Sequence, residues 1–180
     1  MHANPLYTIG HSNQDMVAFL QLLKNNAIQV LVDVRSAPYS RYVPQFNKKE
    51  MEAAVTHAGM KYVFMGDAIG GKPPDPKYLD VNGRVMYYKV AASEMFQLSL
   101  DRLSKGKEDG WTIALVCAEE DPLKCHRHLL IANELEMKRN ISVWHIRSDN
   151  TKIRAKEYLK YNNSEQLKLF KNKDLPHTTP

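Results

Sequence analysis

Two short, mostly apolar runs constrain the fold of this chain more than any other feature. They are residues 28–34 and 112–117, and both are rich in β-branched side chains. Runs of this kind are typical of strands that are buried on both faces, as in a parallel sheet. Because parallel strands need crossover connections, the sequence between such strands should contain helices.

Further strands and helices alternate with these two runs. The pattern predicts three more strands, at residues 6–9, 61–65 and 141–146. It therefore predicts a single three-layer α/β domain with a mostly parallel sheet of about five strands and helices on both faces. We place the domain at residues 1–150 and assign residues 151–180 to a basic, helical C-terminal extension that is not an independent domain.

Capping residues locate the predicted helices. Ser12 followed by Asp15 resembles a capping box and predicts that a helix begins there. A longer helix is expected over residues 86–103, with Met95 and Leu98 facing inward. Another is expected from Pro122 to about residue 138, since proline suits the first helical position.

Length and composition limit the class of protein. A chain of 180 residues with 43% hydrophobic and 25% charged residues is ordinary for one soluble globular domain. No apolar run is long enough for a transmembrane helix. The first residues lack the features of a signal peptide, so a cytoplasmic location is expected.

The charge balance is basic. Lys and Arg number 25 against 20 Asp and Glu, which gives a net charge of +5. A basic protein favours anionic partners, here an anionic small molecule or a nucleic acid. A solvated helical face over the basic C-terminal residues is an equally simple explanation of the same excess.

Polar residues gather where the predicted strands end. The residues that follow the first four strands include His11 and Ser12, Asp33 and Arg35, Asp67, and Cys117 and Glu119. Ligands of open α/β sheets bind outside the carboxyl ends of the strands. The sequence therefore predicts a ligand-binding cleft at this edge of the sheet.

Asp33 and Arg35 are two residues apart and would point to the same face of a strand. Buried charges are costly unless they are paired, so these side chains should contact each other or a ligand. Two interpretations remain open. Either the two residues form a structural ion pair that fixes the following loop, or Arg35 binds an anion while Asp33 orients it or acts as a base.

Cys117 ends a buried strand, and Cys125, His126 and Arg127 follow near the start of the next helix. Three interpretations compete. Cys117 could be a nucleophile, with Cys125 as a resolving thiol and a histidine as base. Both cysteines and a histidine could bind zinc, although their spacing matches no standard zinc motif. Alternatively, the cysteines are small buried residues that line a pocket.

The loop over residues 38–46 mixes tyrosines with Arg41 and Gln45. Aromatic and cationic side chains beside the cleft would suit stacking on a nucleobase and contact with phosphate. A lid held by packed tyrosines is the structural alternative.

Several of these segments resemble a known family. They are Thr8-Ile9-Gly10-His11-Ser12, Leu31-Val32-Asp33-Val34-Arg35-Ser36, Pro44-Gln45-Phe46-Asn47-Lys48, and Cys117-Ala118-Glu119 through Asp121-Pro122 to Cys125-His126-Arg127. In this order they resemble the family named domain of unknown function 488. The resemblance implies a compact α/β domain and marks the same residues at the strand ends, but it implies no reaction.

The leading hypothesis is an enzyme that acts on a phosphorylated, nucleotide-like or nucleic-acid substrate. The candidate catalytic residues are Cys117, Asp33, His11, Glu119 and His126, and the candidate substrate-binding residues are Ser12, Arg35, Arg41, Gln45, Cys125 and Arg127. No residue is assigned to a metal, and no cofactor follows from the sequence. A non-catalytic module that binds nucleotides or nucleic acid is the alternative, and sulfur transfer of the rhodanese kind ranks below both.

Overall fold

The computed structural model describes residues 5–158 of the chain. Within them, six strands form one sheet in the order β3-β2-β4-β1-β5-β6. The strands are β1 Leu6–Gly10, β2 Val30–Asp33, β3 Lys61–Phe64, β4 Ile113–Cys117, β5 Val143–Ile146 and β6 Lys152–Arg154. Strands β1 to β5 are parallel, whereas β6 is antiparallel to β5 at one edge. The predicted α/β class and mostly parallel sheet are confirmed.

Helices cover both faces of the sheet. They are α1 Met16–Asn25, α2 Lys48–His57, α3 Gly66–Ile69, α4 Tyr87–Ala91, α5 Glu94–Glu108 and α6 Asn133–Lys138. Adjacent residues of β2 show the two faces, because successive strand side chains point to opposite sides. Leu31 packs with Phe19 of α1 and Met51 of α2, whereas Val32 packs with Phe96 of α5. The molecule is therefore a three-layer sandwich around two apolar cores.

The helix predicted over residues 86–103 is two helices, α4 and α5. Ser93 interrupts the chain between them and caps α5 by accepting a hydrogen bond from the Phe96 backbone N–H. This interruption changes which side of the second helix faces the sheet. Phe96 and Leu100 are buried, whereas Met95 and Leu98 are 61% and 60% exposed. The prediction that Met95 and Leu98 face inward is therefore wrong.

The segment predicted as one helix from Pro122 is divided into three parts. A 3₁₀ turn spans Pro122–Lys124, π-helical turns span Arg127–Ala132, and α6 follows. Asp121 caps the first turn, as its position before a proline suggests. The extended residue Cys125 separates the first two parts, so that the cysteine and the helix start can both approach the sheet.

The sheet extends past residue 150. Strand β6 pairs with β5, and residues 155–158 are helical. The remainder of the C-terminal extension predicted from the sequence lies outside the described residues. None of the helices within residues 5–158 is long and apolar enough to span a membrane.

Candidate functional site

The central strands bring the predicted cleft residues together at one edge. Strand β4 lies between β1 and β2, so the chain segments that leave these three strands are neighbours. Gly10 of β1 pairs with Cys117 of β4. A Cβ at Gly10 would lie 1.9 Å from the Glu119 carbonyl oxygen, so only glycine allows the segment after β4 to cross β1 here.

Three side chains form a buried cluster at this edge, which we call the thiol–histidine cluster: Cys117, Cys125 and His126. The Cys117 Sγ and the Cys125 Sγ lie 3.8 Å and 3.7 Å from the His126 Nδ1. All three side chains are at least nine-tenths buried. The predicted grouping of these residues at the strand ends thus corresponds to direct contact in the structure.

The backbone directly after β2 orients the imidazole of His126. The His126 Nε2 lies 2.9 Å from the Val34 carbonyl oxygen, which can only accept a hydrogen bond. Nε2 of the neutral ring therefore carries the proton, and Nδ1 presents a lone pair to both sulfurs. A histidine held in this way can accept a thiol proton or bind a metal ion.

The two thiols differ in acidity. The hydrogen bond from the Cys125 thiol, aided by His126, holds the pKa of Cys117 below the usual thiol value despite its burial. The same hydrogen bond, together with burial, raises the pKa of Cys125. Cys117 is therefore the thiol that ionises first, and Cys125 is the hydrogen-bond donor to its thiolate.

A cavity of about 310 Å³ opens onto the cluster. Lys72 and Lys124, both exposed, lie on its wall, as do Glu119 and the half-buried Tyr87. Burial raises the pKa of Tyr87, and the nearby sulfurs Cys125 and Cys117 raise it further. Sequence reasoning missed Lys72, Lys124 and Tyr87 as site residues, although Lys124 directly precedes the candidate residue Cys125.

Asp33 and Arg35 form a buried ion pair. Both carboxylate oxygens of Asp33 accept from the Arg35 guanidinium, at 2.9 and 2.6 Å, and Asp33 also accepts from Tyr62 Oη. Arg35 further donates to the Phe46 carbonyl and to His11 Nε2. Each nitrogen of the Arg35 guanidinium therefore contacts a protein atom. This is the arrangement expected if Asp33 and Arg35 form a structural ion pair that fixes the following loop.

His11 lies on the same side of the sheet as this ion pair. Its ring stacks on Phe46 with centroids 4.3 Å apart, and its Nδ1 lies 2.7 Å from the Ser12 carbonyl oxygen. Since Nε2 accepts from Arg35, both ring nitrogens are occupied. Burial lowers the pKa of His11 to about 4. His11 does not line the cavity, and neither does Asp33.

Arg127 is fully buried beneath the edge of the sheet. Its Nη2 donates to the Glu120 carbonyl at 2.6 Å, while Nε and Nη1 have no hydrogen-bond partner in the part of the chain that the structure describes. Burial lowers the pKa of Arg127, and the charges of Cys125 and Cys117 act in the opposite direction. Arg127 does not line the cavity; it is a buried positive charge near the two sulfurs.

The remaining candidate binding residues lie on the surface loops. Arg41 is exposed, 4.8 Å from the centre of the Tyr42 ring, and donates to the Tyr42 hydroxyl. Gln45 donates to the Gln14 carbonyl, and Ser12, with a positive φ of 48°, contacts Asn13. None of Ser12, Arg41 and Gln45 lines the 310 Å³ cavity.

Taken together, the parallel sheet and the cluster at its edge define an α/β protein with a thiol–histidine site at the carboxyl ends of its strands. The model of the family described as "Domain of unknown function DUF488" matches residues 15–133. The chain therefore belongs to this family. No curated protein matches the chain, and no solved structure matches it.

Proposed function

We propose that this protein is an enzyme that uses Cys117 as a nucleophile on an anionic substrate, phosphorylated or nucleotide-like, bound in the 310 Å³ cavity. The observation that supports it best is the contact between Cys117 and His126. The Cys117 Sγ lies at the wall of the cavity, 3.8 Å from an imidazole nitrogen whose lone pair faces it. This is the nucleophile–base arrangement of thiol enzymes, in which a third group orients the base. Here the Val34 carbonyl oxygen is that third group.

Proton transfer follows from this geometry. His126 Nδ1 takes the Cys117 proton, and the thiolate attacks the electrophilic atom of the substrate. The bond to the leaving group breaks, and the imidazolium returns the proton to the leaving atom. The Cys125 thiol donates a hydrogen bond to the Cys117 thiolate before attack, which is the positioning role we assign to it.

The charges on the cavity wall favour an anionic substrate. Lys72 and Lys124 are exposed there, and Glu119 is the acidic side chain on the same wall. Because Arg35 is committed to Asp33, we assign anion binding to the two lysines instead. Lysine binds phosphate as a point charge without strict geometry, which suits a wall of two flexible side chains.

The pH dependence of iodoacetamide labelling tests the nucleophile. We expect Cys117, followed by peptide mass spectrometry, to react with a midpoint well below the free thiol value of about 8.5. The His126→Ala variant should shift that midpoint upward, because the imidazole no longer accepts the proton. His57→Ala, which removes an exposed histidine at the end of α2, is the matched control. A midpoint near the free value in the wild-type protein would contradict the proposal.

A second candidate is binding of single-stranded nucleic acid. The loop after β2 exposes Tyr39 and Tyr42 by 78% and 79%, and Arg41 stacks over the Tyr42 ring. Exposed aromatic side chains with a neighbouring cation are typical of surfaces that stack on bases. Affinity for oligonucleotides should then fall steeply with salt and should weaken in Tyr42→Ala. A flat salt response would reject this candidate.

Sulfur transfer would use the same thiolate. A sulfane sulfur donor such as thiosulfate would leave a persulfide on Cys117 and release sulfite. Mass spectrometry of the protein after incubation with thiosulfate separates this reaction from attack at the phosphorus of a phosphorylated substrate, which breaks the P–O bond to the leaving group and leaves a phosphorylated cysteine instead.

A further inference from the structure

The thiol–histidine cluster has the dimensions of a metal site. Its three potential ligand atoms lie within 4.8 Å of one another, and the two sulfur–nitrogen distances are 3.7 and 3.8 Å. Tetrahedral zinc with Zn–S of about 2.3 Å and Zn–N of about 2.0–2.1 Å places sulfur and nitrogen ligands roughly 3.6 Å apart. The two sulfur–nitrogen distances are therefore close to those of a tetrahedral zinc site.

Both sulfurs lie close to one imidazole nitrogen, although the Cys125 thiol can also donate a hydrogen bond to Cys117. The His126 Nδ1 has one lone pair, which can accept one thiol proton, yet the sulfurs of Cys117 and Cys125 approach it equally closely. A cation between the three atoms would contact all of them at once. Together with the nearby buried Arg127, it would also neutralise the charge of two buried thiolates.

The surroundings of His126 fit a metal ligand as well. Histidines that bind metals usually donate their second ring N–H to a backbone carbonyl or a carboxylate, which fixes the ring and its tautomer. His126 Nε2 makes this contact with the Val34 carbonyl at 2.9 Å. Gly71 packs against the same imidazole ring, and a Cβ at this position would lie 2.7 Å from the His126 Nδ1.

The cavity provides room for a fourth ligand. Cys117, Cys125 and His126 all lie on its wall, so the cavity can hold a water molecule or a substrate atom as the fourth ligand. Three protein ligands with one open position are typical of catalytic or exchangeable zinc, whereas structural sites use four protein ligands. Two thiolates and one imidazole select zinc over magnesium or calcium, which prefer oxygen.

We propose that Cys117 Sγ, Cys125 Sγ and His126 Nδ1 bind one Zn²⁺ ion, with the fourth coordination position open to the cavity. Binding forms two Zn–S bonds and one Zn–N bond in place of bonds from the ion to water, and it releases the displaced water and the remaining thiol protons to solvent, with no oxidation or reduction. Its consequence rests on the proposed function: a thiolate bound to zinc is a weaker nucleophile than a free thiolate, so metal loading lowers the reactivity of Cys117.

Cobalt substitution of the full-length protein tests the site. After removal of metal with a chelator, titration with Co²⁺ should saturate at one ion per chain and produce thiolate-to-cobalt charge-transfer absorption. Competition with Zn²⁺ then gives the zinc affinity. Cys125→Ser and His126→Ala should each weaken it by at least ~10-fold, as the loss of a ligand does. His57→Ala should leave it unchanged, since His57 is exposed on α2.

Folding of each variant is checked by circular dichroism, and Cys125→Ser is the conservative change because it replaces sulfur by oxygen only. Binding without charge-transfer absorption would overturn the proposal. So would a zinc affinity that neither ligand variant alters.

Iodoacetamide labelling separates this proposal from the proposed function. We expect one equivalent of Zn²⁺ to suppress labelling of Cys117 and a chelator to restore it. If Cys117 is reactive at low pH but no metal binds, the metal site is rejected and the enzyme proposal stands. If zinc binds but Cys117 is inert in the metal-free protein, the nucleophile is rejected and the metal site stands.

Discussion

At the scale of single residues, the ion pair between Asp33 and Arg35 does most to fix the edge of the sheet. Asp33 is fully buried and Arg35 is 8% exposed, and their side chains make two hydrogen bonds to each other. Arg35 also reaches His11 and the Phe46 carbonyl, so that one side chain connects the segments after β1, β2 and the loop before α2. We therefore assign the pair a structural role.

This role predicts a loss of stability on removal of one charge. Asp33→Asn should lower the free energy of unfolding by about 3–5 kcal/mol, because it leaves the buried guanidinium without its counter-ion. Denaturant unfolding measures the change. Asp109→Asn, in the exposed pair with Lys105, is the control and should cost less than about 0.5 kcal/mol. Equal effects of the two substitutions would contradict the structural role.

The contact between Gly71 and His126 is the second decisive feature at this scale. A methyl group at position 71 would lie 2.7 Å from the imidazole, so Gly71→Ala should displace the ring from Val34 and from both sulfurs. The expected result is an upward shift of the Cys117 labelling midpoint. Gly106→Ala in α5, whose Cβ meets only Ile113 Cδ1 at 3.1 Å, should leave the midpoint unchanged. Equal midpoints in both variants would show that His126 tolerates the added methyl.

At the scale of elements, the caps decide where the helices begin. The N-cap of α1 is Asp15, whose carboxylate accepts from the backbone N–H groups of Val17 and Ala18. Ser12, the predicted first member of a capping box, instead has a left-handed backbone and continues the pairing with the segment after β4. The predicted capping box of Ser12 and Asp15 therefore located the start of a helix correctly, but the capping residue is Asp15 and not Ser12.

The caps can be tested by substitution. Asp15→Ala should destabilise the protein by about 1 kcal/mol, since two backbone N–H groups of α1 lose their acceptor. Ser12→Ala, the matched change at the residue that does not cap, should stay within about 0.5 kcal/mol. Thermal unfolding measures the stability of both variants. A larger loss of stability in Ser12→Ala than in Asp15→Ala would show that Ser12, and not Asp15, caps α1.

The π-helical turns at Arg127–Ala132 begin directly after His126 of the thiol–histidine cluster. Three consecutive residues, His126, Arg127 and His128, are all buried, which a regular surface helix does not allow. The wider π turns are frequent at functional sites because they re-aim side chains within a helix. His126 immediately precedes these turns and lies on the cavity wall, whereas His128 within them contacts His145 of β5.

At the scale of the whole molecule, buried histidines link stability to pH. Burial lowers the pKa of His11 and of His128 to about 4, and lowers that of His145 further. In the unfolded chain each would titrate near 6.5. Between these values the unfolded state binds more protons than the folded state, so stability is full above pH 6.5 and falls as the pH decreases.

We expect the free energy of unfolding to fall by about 3 kcal/mol between pH 6 and pH 5, with up to about 1.4 kcal/mol per pH unit from each histidine. Urea unfolding across this range measures the loss, before most carboxylates protonate. His57→Ala removes an exposed histidine and should leave the slope unchanged. Constant stability over this range would show that the three histidines ionise in the folded protein.

The sequence by itself determined the layers of the fold and the set of segments at the site. Buried strands such as residues 112–117 need cover on both faces, and parallel strands place their carboxyl ends along one edge. Cys117, Cys125 and His126 could therefore be assigned to one cleft without coordinates. Strand β6 escaped prediction because a three-residue edge strand has too few residues for a periodic signal.

Only the tertiary structure decided which of those residues contact one another. The Arg35 guanidinium is held by Asp33 although Arg35 lies on the cavity wall, and Arg127 is buried without lining the cavity, whereas Lys72 reaches the wall from the loop after α3. The physical reason is that hydrogen bonds of a side chain depend on distances and directions across elements, such as the 2.9 Å contact of His126 with Val34, and no spacing along the chain specifies them.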